Sequence, residues 1–211
     1  MISLKKDNIG ELWLEYINAV SSSDRWVHDN REEVCEADPI VFVINDFTDS
    51  LGILSRNADD HVIDIYTKKM FSMELIEELN STYGDRFFNN LGVNQFDWVV
   101  SRLRENKWAK SCFIPLVVPN DPGPRIPCLS AVQVAIRDNK TKLYATFRSQ
   151  NAYNSYGNFL GLRAMQIKFS EELNVPPGEI CFSINFPHIY RSDFQKVRSI
   201  VETEIGSAVS I

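Results

Sequence analysis

The sequence has few cysteines and histidines and no long hydrophobic run. Its four cysteines, Cys35, Cys112, Cys128 and Cys181, form no CxxC pair, and none of its three histidines lies at metal-ligand spacing from a cysteine or another histidine. These absences argue against a bound metal and a disulfide framework, and they predict free thiols in a cytoplasmic setting. No window is apolar for long enough to form a signal-peptide core or a membrane-spanning helix, so we expect no membrane partner.

The sequence also has no excess of basic residues. Its 22 lysines and arginines stand against 28 aspartates and glutamates, which gives a formal net charge of −6. A nucleic-acid-binding surface needs a basic face, so we expect no nucleic-acid partner, although this charge is compatible with a local basic pocket for one phosphate. Repeats, low-complexity tracts and Gly/Ser linkers are absent from the 211 residues. We therefore expect residues 1–211 to form one domain.

Hydrophobic spacing predicts helices and strands that intermingle without strict βαβ alternation. The expected helices cover residues 9–20, 73–80, 95–104, 159–173 and 193–205. The expected strands cover residues 39–44, 113–118, 129–136, 142–147 and 180–185, with a loop at 119–124 and Asp138-Asn139 at a hairpin turn. This order predicts an α+β fold in which helices cover one large mixed β-sheet.

Chemically useful side chains stand out in four short segments of the second half of the chain. Taken alone, each has an ordinary structural explanation: a buried thiol, a surface pair, a helix cap and one face of a sheet. The segments are Pro127-Cys128, Phe147-Arg148-Ser149, Asn158 before a helix, and His188-Ile189-Tyr190. Upstream lie Tyr83-Gly84-Asp85-Arg86-Phe87 and Asn94-Gln95-Phe96-Asp97-Trp98.

The order and spacing of these segments resembles the thymidylate synthase family, most closely its short, archaeal-type branch. The resemblance covers nearly the whole chain and is most specific at residues 127–138 and at Phe147-Arg148-Ser149. It implies a thymidylate synthase-like fold and an enzyme that methylates a pyrimidine nucleoside monophosphate, dUMP, at ring carbon 5.

The resemblance also implies roles for the catalytic residues. Cys128 would be the nucleophile that adds to ring carbon 6, a step that suits a soft thiolate because it can also leave. Arg148 would favour the thiolate and hold the phosphate through two donors, with the Ser149 hydroxyl beside it. Tyr83 would take part in removing the proton from carbon 5.

The remaining ligands follow from the same resemblance. Asn158 would read the O4 and N3–H edge of uracil, because its amide both donates and accepts. His188 and Tyr190 would bind the ribose hydroxyl. The family forms homodimers across the back of the sheet, and Lys110 would reach the phosphate of the neighbouring subunit. The one-carbon donor would be 5,10-methylenetetrahydrofolate, with Asn151 at its pterin ring.

The sequence departs from the family at several of these positions. Lys110-Ser111 replaces a pair of arginines, and Lys lacks the fork geometry of Arg; Arg125 is a candidate to compensate. Asn151 replaces the aspartate that grips the pterin ring, so the expected charge is missing. The segment before Asn158 is one residue short, and Asn158 is therefore assigned by its distance to Gly161-Leu162. Phe186-Pro187 replaces a small polar pair.

The catalytic glutamate of the family has no clear match. Asp59, Asp60 and Asp64 lie in the right region, and the alternative is that they form a solvated acidic loop. Several functions stay open: methylation, 5-hydroxymethylation in nucleotide modification or nucleoside natural-product synthesis, and nucleotide binding without catalysis. An unrelated hydrolase using Cys128 and His188 lacks a third orienting group and an oxyanion motif.

Overall fold

Ten strands form two β-sheets within residues 1–29, 32–79, 82–119, 121 and 126–208, the part of the chain that this computed structural model describes. The strands are β1 (Ile2–Lys5), β2 (Trp26–His28), β3 (Glu33–Glu36), β4 (Ile40–Ile44), β5 (Phe113–Pro115), β6 (Leu129–Arg137), β7 (Lys140–Phe147), β8 (Gln150–Asn151), β9 (Pro177–Ile184) and β10 (Pro187–Tyr190). The large sheet has the order β1-β4-β9-β7-β6-β5 and the small sheet the order β2-β3-β10-β8. Both contain parallel and antiparallel pairs.

Seven α-helices lie within the same described ranges. They are α1 (Ile9–Ser21), α2 (Ile53–Asn57), α3 (Asp60–Phe71), α4 (Gly84–Phe88), α5 (Gln95–Glu105), α6 (Ser155–Leu173) and α7 (Arg191–Ala208). No helix in this part of the chain combines the length and the apolar character that crossing a membrane requires. The mixed sheet with flanking helices confirms the predicted α+β, thymidylate synthase-like fold class.

The two faces of the large sheet differ because its strands alternate between apolar and mixed residues. One face carries Phe42, Phe147 and Phe182, which are buried in the main core with residues of α1, α5 and α6. On the other face, Tyr144 is 39% exposed and Phe113 is 52% exposed. Helices therefore bury one face of the large sheet, while aromatic side chains remain accessible on the other.

Two glycines of α6 allow α3 to lie close against it. A Cβ on Gly157 would lie 2.8 Å from Cγ of Tyr66, and a Cβ on Gly161 would lie 3.0 Å from Cγ of Met70. Both distances are shorter than ordinary carbon contacts, so larger residues would push the helices apart. This close packing fixes α3, which carries Tyr66 and Lys69, against the rest of the core.

Most predicted elements of the second half are confirmed with shifts of a few residues. The hairpin turn at Asp138-Asn139 is confirmed, since both residues have positive φ values, 53° and 55°. The predicted helix at 159–173 begins four residues earlier, at Ser155. The predicted strand at 113–118 ends at Pro115, because Asp121 bonds to the backbone of Val118 and turns the chain. In the loop predicted at 119–124, residues 120 and 122–124 lie outside the described part of the chain.

The helix predicted at 73–80 is wrong. Residues Glu77–Leu79 form a single 3-10 turn, and residue 80 lies outside the described part of the chain. The preceding helix α3 ends at Phe71, and the Ser72 hydroxyl then exchanges hydrogen bonds with the backbone of Glu74. This local turn competes with helical geometry. The acidic loop considered for residues 59–64 is also wrong, because Asp60 and Asp64 lie in α3.

Candidate active site around Cys128

Two strand ends bring Cys128 and Arg148 together. Cys128 directly precedes β6 and Arg148 directly follows β7, and the antiparallel register pairs Leu129 with Phe147. The Arg148 amide donates to the Cys128 carbonyl at 2.9 Å. Nη2 of Arg148 lies 3.8 Å from Sγ of Cys128, and Oγ of Ser149 lies 3.7 Å from the same sulfur. The half-buried thiol is thus flanked by a guanidinium and a hydroxyl.

Backbone carbonyls hold the Arg148 guanidinium in place. Its Nη2 donates to the carbonyl of Ile126 at 2.8 Å and its Nε to the carbonyl of Pro127 at 3.2 Å. Its Nη1 donates to Oγ of Ser149 at 3.2 Å. These bonds fix a positive charge beside the sulfur.

Tyr83 lies on another side of the thiol. Its hydroxyl accepts a hydrogen bond from the amide of Leu129 at 3.3 Å, and its own amide donates to the carbonyl of Lys69 at 2.7 Å. Burial raises the pKa of the Tyr83 hydroxyl well above its usual range, and the Cys128 thiolate raises it further. Tyr83 therefore stays protonated beside the reactive sulfur.

Lys69 and Tyr66 complete this side of the site. Nζ of Lys69 lies 4.2 Å from the centre of the Tyr83 ring and 5.5 Å from that of Tyr66. Burial lowers the pKa of Lys69 from 10.5 to about 8, against an opposing effect of the Cys128 thiolate. Burial, and then the same thiolate, raise the pKa of Tyr66 to about 12. Both side chains thus share the electrostatic environment of the nucleophile.

His188 lies next to Arg148 and Ser149 in a cavity of about 300 Å³. Its Nδ1 donates to the carbonyl of Phe186 at 3.1 Å, and this leaves Nε2 as an acceptor in the neutral ring. Burial lowers the His188 pKa, which favours that neutral form. Its ring packs edge-on against the ring of Tyr190, with 5.2 Å between the two ring centroids. The arrangement suits a hydroxyl donor. Of the predicted pair, His188 lines the same cavity as Arg148, and Tyr190 contacts the His188 ring.

Asn158 lies in the first turn of α6 and is buried, with 7% of its surface exposed. Its Oδ1 has no hydrogen-bond partner within the described part of the chain. A buried amide oxygen without a partner carries a free-energy cost unless another group satisfies it. The side chain is therefore available to a ligand, as a role in reading a base requires.

Asn151 bonds to a neighbouring carboxylate. Its Oδ1 accepts from the amide of Tyr153 at 3.1 Å, and its Nδ2 donates to Oδ2 of Asp193 at 3.5 Å. Burial raises the pKa of Asp193, and the hydrogen bond from Asn151 opposes this increase. The charge that is missing from position 151 is thus present on the adjoining helix α7.

Lys110 is exposed at the edge of the large sheet, where its carbonyl accepts from Nε2 of Gln133 at 2.7 Å. Within the described residues, no contact joins its side chain to Cys128 or Arg148. Arg125, the suggested compensating cation, lies outside the described part of the chain.

The three aspartates considered as catalytic carboxylates are exposed and lie at the start of α3. Asp59 caps the helix by accepting from the amide of His61 at 2.9 Å, and Asp64 pairs with Lys68 at 2.6 Å. No described contact joins Asp59, Asp60 or Asp64 to Cys128. No set of three or more His, Cys, Asp or Glu side chains in the described ranges is arranged to bind a metal ion.

Sequence reasoning missed four residues that the structure brings to this region. Tyr66 and Lys69 lie beside the thiol, and His28 and Glu36 line the cavity with Arg148. A helix beginning at Asp60 could have been predicted from the sequence, because Asp59 is a typical N-cap residue and Asp60 adds a negative charge in the first turn. With the helix placed there, Tyr66 and Lys69 fall on the same face, three residues apart.

Comparison with known proteins gives relatives that match nearly the whole chain. A protein of Methanosarcina mazei named "Putative thymidylate synthase" is 26% identical over 205 residues, which cover 94% of each chain. A Methanosarcina barkeri protein of the same name is 25% identical over the same shares. One from Methanothermobacter marburgensis is 23% identical over 93% of this chain and 96% of its own. No family model matches the chain.

Proposed function

The chain is thymidylate synthase-like, and from that premise we propose that it transfers a one-carbon group to carbon 5 of a pyrimidine nucleotide through a covalent bond from Cys128 to ring carbon 6. The observation that carries this proposal is the position of the Cys128 sulfur between Arg148 and Ser149, at 3.8 Å and 3.7 Å. Few structural roles would require a half-buried thiol beside a guanidinium that backbone carbonyls hold in place.

The chemistry follows from the reactivity of the ring. Carbon 5 of a pyrimidine is a weak nucleophile until another nucleophile adds at carbon 6. The Cys128 thiolate forms the sulfur–carbon bond, and the electron pair of the double bond moves to carbon 5 and the carbonyl oxygen at carbon 4. Carbon 5 can then bond to an electrophilic carbon, and the thiolate leaves at the end. Arg148 supports the thiolate at both stages.

The nucleotide is held by groups of matching polarity. Arg148 and Ser149 donate to the phosphate, and neutral His188 accepts from a ribose hydroxyl through Nε2. The buried Asn158 amide pairs with the base edge, which satisfies its unpartnered oxygen. Tyr190 packs against His188 and orients it.

A carboxylate beside Asn151 is compatible with the binding of a folate donor. The Asp193 carboxylate, 3.5 Å from the Asn151 amide, offers the acceptor that the pterin ring of a folate requires. When bound, 5,10-methylenetetrahydrofolate supplies a carbon at the oxidation level of formaldehyde. Whether hydride or water then captures that carbon separates methylation of dUMP from 5-hydroxymethylation.

Isotope release tests this function. Tritium at carbon 5 of dUMP or dCMP must leave when the carbon is substituted, so we expect its release into water in the presence of 5,10-methylenetetrahydrofolate. Chromatography of the product distinguishes a 5-methyl from a 5-hydroxymethyl nucleotide. Tight binding of both nucleotides without any release would contradict the proposal and favour nucleotide binding without catalysis.

A homodimer across the accessible face of the large sheet completes the phosphate site. Among the described residues, the carboxylates of Asp29 and Glu36 line the same cavity as Arg148, so a further cation would favour a phosphate there. Lys110 lies at the edge of the accessible face, beside Gln133. Two such faces packed together would let Lys110 reach the neighbouring subunit.

We expect the protein to be a dimer at micromolar concentration and Tyr144→Glu to separate it into monomers. Tyr144 lies in register with Gln133 and Phe113 on the accessible face, and a buried like-charge pair there would be costly. Light scattering measures the change, and tritium release should fall with it. Trp98→Glu, which changes an aromatic residue on α5, should leave the dimer intact. A monomeric wild-type protein would contradict the prediction.

A further inference from the structure

A lysine side chain is buried beside the nucleophile without a carboxylate partner. Lys69 is 8% exposed. Its ammonium lies over the rings of Tyr66 and Tyr83, and no carboxylate in the described part of the chain lies within ion-pair distance of it. Buried lysines are uncommon because desolvation strongly disfavours the charged form. This position therefore costs stability, and such a cost is typical of a functional group.

The groups that face Lys69 determine when it holds a proton. Tyr66 and Tyr83 are uncharged, since their pKa values are raised, and Cys128 is the nearby group that can become an anion. Where α6 packs against α3, Gly157 of α6 lies against Tyr66, and glycine carries no charged side chain.

Helix α4 also packs against α3, and it adds no unpaired cation that faces Lys69. Its Arg86 is paired with Asp121. Burial therefore has the largest effect on the Lys69 ammonium, and the Cys128 thiolate has the second largest.

We propose that Lys69 is the proton-transfer residue of this site, and that its neutral amine removes the proton from carbon 5 of the Cys128-bound pyrimidine. The inference rests on the proposed function and gives Lys69 the proton removal in which the family resemblance implies a part for Tyr83. Tyr83 would then position Lys69 through the bond between its amide and the Lys69 carbonyl, at 2.7 Å.

The step balances without a further reagent. The lone pair of the amine bonds to the proton on carbon 5, and Lys69 becomes an ammonium. The electron pair of the carbon–hydrogen bond forms the enolate of carbons 5 and 4, with the charge on the oxygen at carbon 4. The ammonium later returns its proton to water, so isotope from carbon 5 appears in the solvent.

The position of Lys69 beside Cys128 makes its protonation depend on whether the sulfur is bonded to the pyrimidine. Before the reaction, the Cys128 thiolate raises the Lys69 pKa. Once the sulfur is bonded to carbon 6 it is a neutral thioether, and that effect disappears. Burial then dominates, and the amine loses its proton more readily. Formation of the covalent bond thus converts Lys69 from a counter-ion into a base.

The other titratable groups are less suited to this role. The Tyr83 hydroxyl accepts a hydrogen bond from the Leu129 amide. Its raised pKa keeps it protonated, and a protonated phenol is a weak base. Asp59 and Asp64 are engaged in a helix cap and an ion pair. Lys69 has a pKa of about 8, close to the pH at which a general base is most effective.

The test measures tritium release from dUMP labelled at carbon 5 between about pH 6 and about pH 10. Wild-type release should rise about tenfold per pH unit below the Lys69 pKa and then level off. Lys69→Arg keeps the charge but cannot lose it, so release should fall by roughly a hundredfold or more and lose this inflection. Lys69→Ala should regain part of its release when ethylamine is added. The control is Lys68→Met on the exposed face of α3.

Two readouts separate a lost base from a damaged fold. Covalent capture of 5-fluoro-dUMP on Cys128 requires no proton removal from carbon 5, so both Lys69 variants should retain it. The urea midpoint of Lys69→Ala shows whether the chain is folded. Wild-type-like release and pH dependence in Lys69→Arg would overturn the inference, as would a folded Lys69→Ala that ethylamine does not rescue. If the wild-type protein releases no tritium, the proposed function itself fails.

Discussion

Replacing Cys128 with serine is expected to lower tritium release from dUMP by roughly a thousandfold or more, because the nucleophile of the covalent step is lost. An alcohol is far less acidic than a thiol, so the flanking Arg148 cannot generate the corresponding alkoxide at neutral pH. Serine is close to cysteine in size, and the half-buried site should accept it without unfolding. Nucleotide binding, measured by equilibrium dialysis, should therefore change little.

The matched control for this substitution is Cys35→Ser. Cys35 is buried in β3, and its thiol already donates to the carbonyl of Val20 at 3.3 Å, a bond that a serine hydroxyl would keep. Release should stay within about threefold of the wild-type rate. Equal losses in Cys128→Ser and Cys35→Ser would mean that the loss at position 128 comes from packing, and the assignment of the nucleophile would fall.

Replacing Gly84 with alanine is expected to lower the free energy of unfolding by about 2–4 kcal/mol. An added Cβ would lie 2.7 Å from the Phe71 carbonyl oxygen and closer still to the Ser72 carbonyl oxygen. Both obstacles are backbone, so either α4 or the end of α3 must move. The neighbouring amide of Tyr83 bonds to the Lys69 carbonyl across this junction, and catalysis should fall together with stability.

Urea unfolding measures the stability effect, with Gly206→Ala as the control. Gly206 lies within α7, and a Cβ there would meet nothing within 4 Å. Alanine favours a helix over glycine, so this variant should be as stable as the wild type or more stable by up to about 1 kcal/mol. An unchanged urea midpoint in Gly84→Ala would show that the α3–α4 junction can open freely, against the close packing described above.

The sequence predicted the second half of the fold better than the first for a physical reason. The hairpin of β6 and β7 and the helix α6 carry local signals: alternating apolar residues, an Asp-Asn turn, and a long run that Asn174 ends. Strands β2 and β3 are three and four residues long. Strand β3 pairs with β10, more than a hundred residues away in the chain, and β2 pairs in turn with β3. No local pattern encodes the distant contact on which both strands depend.

The sequence did not predict helix α3 because polar side chains interrupt the hydrophobic spacing of its buried face. Its buried face includes Lys69 and the tyrosine ring of Tyr66, so hydrophobic spacing underestimates how much of the helix is buried. The Cys128, Arg148 and Ser149 cluster was predictable because both strand ends flank one hairpin, whose register fixes their distance. Residues that approach the thiol from other elements, such as Lys69, need the packing of α3 against α6, which the sequence alone does not reveal.

Covalent capture tests the central claim most directly. In 5-fluoro-dUMP the fluorine on carbon 5 cannot leave as a cation, so an adduct formed with a methylene donor present does not break down. Mass spectrometry of the denatured protein should find one nucleotide per chain, on the peptide that contains Cys128, and none in Cys128→Ser. Nucleotide that washes off on denaturation, or a label on Cys35, Cys112 or Cys181, would contradict covalent catalysis by Cys128.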